Sequence, residues 1–188
     1  MTINEGNLAF TFPDTWTSVK YDETKFYKDN IISTAANLKA VDILAIPYPQ
    51  RNSLLMIEVK DFRGHAKENQ ERHGSGKLVV EVIEKAMHTL SALYLVKYCG
   101  NSELAAFVAP DLTPPPRIEL VLFMEEDPIV LRHDNDTKSK MEMQNMRNRI
   151  DNMTLSFRQK LKDKVKISSK IISTASIKAR DVFTVAQI

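Results

Sequence analysis

A chain of 188 residues, 43% of them hydrophobic, can bury one good core, and its length favours a single domain spanning residues 1–188. No apolar run reaches the roughly eighteen residues of a membrane-spanning helix, and the lone Cys99 excludes an internal disulfide or a thiolate metal cluster. The net charge of +2 is unevenly spread: from Thr137 onward twelve Lys and Arg stand against four Asp and Glu, and before it fourteen stand against twenty. The opening "MTINEGNLAF" lacks the basic-then-apolar pattern of a signal peptide, so a soluble, cytoplasmic protein with no membrane partner is expected.

In chain order, "DETKFY" offers a helix start at Asp22, with a cap and an acidic first turn. "AVDILAI" and "LLMIEVK" are short, apolar and β-branched, and the "PYPQRNS" between them is a turn, so a β-hairpin is predicted. After a polar stretch, "KLVVEVIEKAMHTLSALYLVKY" carries Val79, Val82, Ile83, Ala86, Leu90, Leu93 and Val96 at helical spacing and reads as a core helix ending near Gly100. "ELAAFVAP" and "RIELVLFME" both read as strands that widen the sheet. Residues 137–166 form a long basic helix with Met143, Met146, Ile150, Met153, Phe157 and Leu161 in one stripe, which suits core packing or a partner surface. A last strand falls in "KISSKIIS" or "DVFTVAQI".

The chemistry gathers on the hairpin. Alternation along a strand points Met56, Glu58 and Lys60 one way and Leu55, Ile57 and Val59 the other. Matched hairpin register brings Asp42 toward Glu58, so two hard oxygen ligands and an ammonium converge. Such a set can hold Mg²⁺ with water positions left open, as metal-assisted phosphodiester hydrolysis requires. A basic tail joined to an acidic front fits a protein that grips a polyanion with one surface and presents carboxylates with another, and Lys160, Lys162 and Lys164 are its candidate contacts with nucleic-acid backbone. A solvated helix face explains the same lysines.

Asp42 followed by Glu58-Val59-Lys60, on a hairpin leading into a core helix, resembles the PD-(D/E)XK nuclease superfamily over roughly Ala40 to Glu126. The resemblance implies an α/β fold with a restriction-endonuclease-like αβββαβ core, a central mixed sheet flanked by helices. It further implies a Mg²⁺-dependent endonuclease hydrolysing DNA in defence, restriction or repair, with Mn²⁺ able to substitute. Asp42, Glu58 and the Val59 carbonyl would be metal ligands, and Lys60 would assist the attacking water. A homodimer or a larger defence or repair complex would follow. Alternatives are a non-catalytic nuclease-fold binding module and an RNA-directed nuclease.

Ala40-Val41-Asp42 lacks the proline of the eponymous motif, and no QxxxY follows on the core helix. Glu23 is the candidate for the family's optional acid on the first helix. Lys85 is a candidate for reaching the site, although Glu81 four residues earlier makes a local ion pair the preferred reading. His65, His73, His88 and His133 lack metal-ligand spacing, and "HGSGK" lacks the full phosphate-loop pattern and reads as a flexible loop by the substrate entrance. Asp61 and Arg63 read equally as DNA-backbone contacts or exposed loop charges.

Overall fold

The computed structural model describes residues 1–47, 52–64, 76–108, 117–131, 136–178 and 183–188. His65, His73 and His133, and all of "HGSGK" before Gly76, lie outside the described residues.

Two sheets form. Strands β1 (Thr2–Glu5) and β2 (Leu8–Thr11) make an antiparallel hairpin turning at Gly6, whose φ of +54° suits a residue without Cβ. The last strand, β8 (Thr184–Gln187), pairs with β2 and completes a three-stranded sheet. The larger sheet has five strands in chain order: β3 (Thr17–Lys20), β4 (Ile43–Ile46), β5 (Ser53–Asp61), β6 (Arg117–Glu125) and β7 (Ser168–Ile172). Pairing is antiparallel from β3 to β5 and parallel from β5 to β7, so the sheet is mixed. Parallel neighbours need crossovers. Helix α1 (Lys77–Cys99) lies between β5 and β6 in the chain, and α2 (Thr137–Phe157) lies between β6 and β7. The second continues through a π-turn, Arg158–Lys162, and a last turn, Asp163–Val165.

Alternation explains the layering. Leu44, Leu54, Met56, Leu120, Leu122 and Met124 share one core with Val79, Val82, Ala86 and Leu93 of α1 and with Met153, Phe157 and Leu161. Ile43, Ala45, Leu55, Ile57, Val121 and Phe123 share a second core with Leu8, Phe10 and Val185 of the small sheet. Both crossover helices thus cover one face of the central sheet, and the small sheet covers the other. Phe10 meets Phe123 edge-to-face at a centroid distance of 4.9 Å. The methionine stripe divides: Met153, Phe157 and Leu161 are core, while Met143 and Met146 are half-buried.

Three sequence expectations change. "ELAAFVAP" is no strand in its described part; Ala105–Phe107 is a 3₁₀ turn, because Leu104 and Phe107 reach the helix-side core there. Asp22 does not cap a helix, for it sits in the 3₁₀ turn Tyr21–Glu23, and Thr24 Oγ1 accepts from Tyr27 N at the start of the π-helical segment Phe26–Ile32. Both candidate final segments contain strands, and they join different sheets. The strands of "TINEGNLAFT" were not anticipated.

Because Phe123 is fully buried where the two sheets meet, Phe123→Ala should cost about 3–5 kcal/mol in denaturant unfolding. Tyr98→Ala, on the exposed side of α1, should stay within about 0.5 kcal/mol of the parent.

Candidate functional site

The register of β4 with β5 pairs Ile43 with Ile57 and Leu44 with Met56, and Asp42, the residue just before β4, stands at the same end of the hairpin as Glu58. Backbone bonds fix this end of the hairpin: Asp42 N donates to Ile57 O at 3.1 Å, and Tyr21 N donates to Asp42 O at 2.8 Å. The Asp42 carboxylate then takes the Val59 amide on Oδ2 at 2.6 Å. Asp42 and Glu58 share the parity of Leu44 and Met56, so both face α1. Glu58 is completely buried and Asp42 is 7% exposed.

Helix α1 answers these charges with its own. Lys85 Nζ donates to Glu58 Oε1 at 2.6 Å and lies 3.7 Å from Asp42 Oδ1. Lys60 Nζ lies 2.9 Å from the same Glu58 oxygen and 3.0 Å from Glu81 Oε1. Strand residues two apart are separated by about 7 Å and helix residues four apart by about 6 Å, so the two spacings match. Glu58 and Lys60 on the strand therefore meet Lys85 and Glu81 on the helix. Lys85, for which a local pair with Glu81 was the preferred reading, reaches the strand carboxylates. Glu81 was missed as part of the site; its spacing from Lys85 was the available signal.

Burial, then the neighbouring Glu58 charge, pushes Asp42 up to about 7 against the opposing pull of Lys85 and the Val59 amide. Burial pulls Lys60 down, but Glu58 and Glu81 more than offset it and its net shift is upward. Asp22, beside the Tyr21–Asp42 backbone bond, is raised to about 6 by burial and then by Asp42. Asp22 and Glu23 share the turn Tyr21–Glu23, and Asp22 is the more buried of the two. Glu23 is exposed and pairs with Lys20 at 2.7 Å.

The remaining candidates lie elsewhere. Lys160, Lys162 and Lys164 are exposed on the segment that runs into β7, where Ser168 pairs with Glu119, two strands away from Glu58. Asp61 and Arg63 pair with each other. His88 Nδ1 accepts from Lys39 N at 3.1 Å.

Among the described residues no group of three or more His, Cys, Asp and Glu gathers as a metal cluster. The donors on hand are Asp42 Oδ1 and Glu58, whose Oε2 is buried without a hydrogen-bond partner. Two carboxylates with spare acceptor capacity fit a cation such as Mg²⁺, which keeps several waters, and do not fit a closed all-protein cage. No helix among the described residues is long and apolar enough to cross a membrane. Comparison with family models, with curated proteins and with solved structures finds no match to the chain.

The raised pKa of Asp42 gives a pH signature in metal-free protein. The folded state holds a proton that the unfolded chain, with an ordinary aspartate near 3.8, releases. Its contribution to stability is therefore complete below about pH 4 and is lost as pH rises toward about 7. Denaturant unfolding between pH 4.5 and 7.5 should show a smaller fall in Asp42→Asn than in the parent, because the amide keeps the Val59 contact and cannot ionise.

Proposed function

We propose that the chain is a Mg²⁺-dependent nuclease hydrolysing DNA phosphodiester bonds, with Asp42, Glu58 and Lys60 as its working residues. The observation that carries this reading is the hairpin end that brings Asp42 and Glu58 around one ammonium, Lys85, with Lys60 at hydrogen-bond distance of Glu58 on the same sheet face. The antiparallel run β3–β4–β5, then α1, then the parallel β6 supports the αβββαβ core of a PD-(D/E)XK nuclease. The first helical segment departs from that order, since it stands between β3 and β4 instead of ahead of the strands.

Asp42 Oδ1 and Glu58 would hold the ion, with the Val59 carbonyl as a further ligand by family resemblance. When bound, the ion supplies Lewis-acid polarisation of a phosphoryl oxygen and a more acidic water. Lys60 would orient the attacking water through its ammonium. Glu58 and Glu81 hold the side chain on both sides and keep it cationic. Asp42 is kept from swinging away by the Val59 amide. Lys160, Lys162 and Lys164 would contribute charge to a nucleic-acid backbone, at a distance from the carboxylates.

The second reading, a non-catalytic nuclease-fold binding module, draws on the two ammoniums that already partner Glu58. A single set of measurements separates the two. Asp42→Asn and Glu58→Gln should weaken Mg²⁺ or Mn²⁺ binding in calorimetry and abolish DNA cleavage. Lys60→Ala should keep the metal while slowing the chemical step by roughly 10²- to 10⁴-fold. A parent protein that binds no divalent ion even with DNA present would overturn the nuclease reading. Assaying matched RNA beside DNA identifies the preferred polymer.

The tail has its own test. Reversing Lys160, Lys162 and Lys164 to glutamate should weaken DNA binding and flatten its salt dependence by a slope of roughly 0.9 per lost phosphate contact. Unchanged affinity and slope in a folded variant would remove the tail from the interface.

A further inference from the structure

Asp42 Oδ2 takes the Val59 amide, which leaves Oδ1 as the oxygen turned to the rest of the cluster. That remaining oxygen, Oδ1, lies 3.7 Å from Lys85 Nζ, which itself sits 2.6 Å from Glu58 Oε1. The ammonium therefore lies between the two carboxylates. An ion bridging Asp42 and Glu58 must approach Oδ1 to about 2.0–2.1 Å if it is Mg²⁺. An ion held by Asp42 Oδ1 and Glu58 Oε1 would compete for the same two oxygens as the Lys85 ammonium, in a buried place where repulsion between cations is weakly screened.

We propose that Lys85 is a built-in competitor for the cation: in the metal-free protein its ammonium neutralises the carboxylate pair, and a divalent ion binds only by displacing it. This rests on the metal-site reading above and adds to it a regulation of the same site. Lys60 also contacts Glu58, but it does not bridge to Asp42 and is anchored from the other side by Glu81. Lys85 has its carboxylate contacts on the strand acids themselves, so it is the group whose departure opens the space between them. The unpartnered Glu58 Oε2 shows that the two ammoniums do not exhaust the acceptors of this cluster. The arrangement is a closed state with coordinating capacity in reserve. Holding the site this way lets Glu58 be buried before any metal arrives, and it sets a threshold concentration below which the ammonium keeps the site.

Calorimetric titration with Mn²⁺ of the parent, Lys85→Met and Lys85→Gln, beside melting curves with and without the ion, tests the idea. Both variants should melt lower than the parent without metal, bind Mn²⁺ on the order of tenfold or more tightly, and gain more in melting temperature from it. Lys39→Gln, which removes a lysine paired with Glu84 on the exposed side of α1, should leave binding unchanged. The glutamine variant retains a donor for Glu58, so it covers the case in which the methionine variant does not fold. A crystal structure of the parent soaked in Mn²⁺ reads the displacement directly and should show Lys85 Nζ out of hydrogen-bond distance of Glu58. If the parent binds Mn²⁺ and the variants bind it no more tightly, or if Lys85 stays on Glu58 beside the bound ion, competition is overturned while the metal site stands. If neither the parent nor the variants bind the ion, the metal-site reading fails and the competition with it.

Discussion

A carboxylate with no exposed surface, Glu58, is the constraint around which the site side of this molecule is arranged. An isolated charge there would cost several kcal/mol, and removing one partner of a buried pair typically costs about 3–5 kcal/mol. The fold answers with two ammoniums, one from the same strand and one from α1. That answer sets the rotation of α1 about its axis, since only the face carrying Glu81 and Lys85 can meet Glu58 and Lys60. The same rotation turns Val79, Val82, Ala86 and Leu93 into the core. Charge pairing and apolar burial therefore agree on one docking of the helix, which is the kind of consistency that singles out a native state.

The two faces of the central sheet share the work unequally. The face under the small sheet carries an apolar cluster in which Phe10 packs against Phe123, with the Lys20–Glu5 ion pair beside it. The helix-covered face holds the acids at the end of β5 and at the start of β4, where the apolar pattern gives way to charge. Placing the carboxylates beneath a helix, and not in open solvent, raises Asp42 and concentrates whatever field the neighbouring ammoniums supply. In that placement Lys60 is shared between Glu58 and Glu81, and Lys85 between Glu58 and Asp42.

Much of this was legible from periodicity. The hairpin, α1, β6 and the long second helix all announce themselves by alternation or by a 3.6-residue stripe, and each forms where its pattern stands. The amino-terminal strands were not legible, because "TINE" and "LAFT" are too short to show a period and gain their place from β8, more than 170 residues later in the chain. The turn at Ala105–Phe107 has the composition of a strand, but Leu104 and Phe107 bury into the helix-side core, and that long-range packing overrides local preference. Met143 and Met146 continue the stripe of Met153 and Phe157, and nothing in their spacing tells that burial fades toward the start of the helix.

By itself the sequence determined that Glu58 and Lys60 share a face and that Asp42 can stand opposite Glu58, because strand alternation and hairpin register are local properties with a period of two. Only the tertiary structure decided which charges answer them. Glu81 and Lys85 lie more than twenty residues from Glu58, and their choice between pairing along the helix and pairing across to the sheet depends on how α1 is docked. That docking is a property of the whole core: it balances the burial of one apolar stripe against the compensation of one buried carboxylate, and no short window of residues contains both.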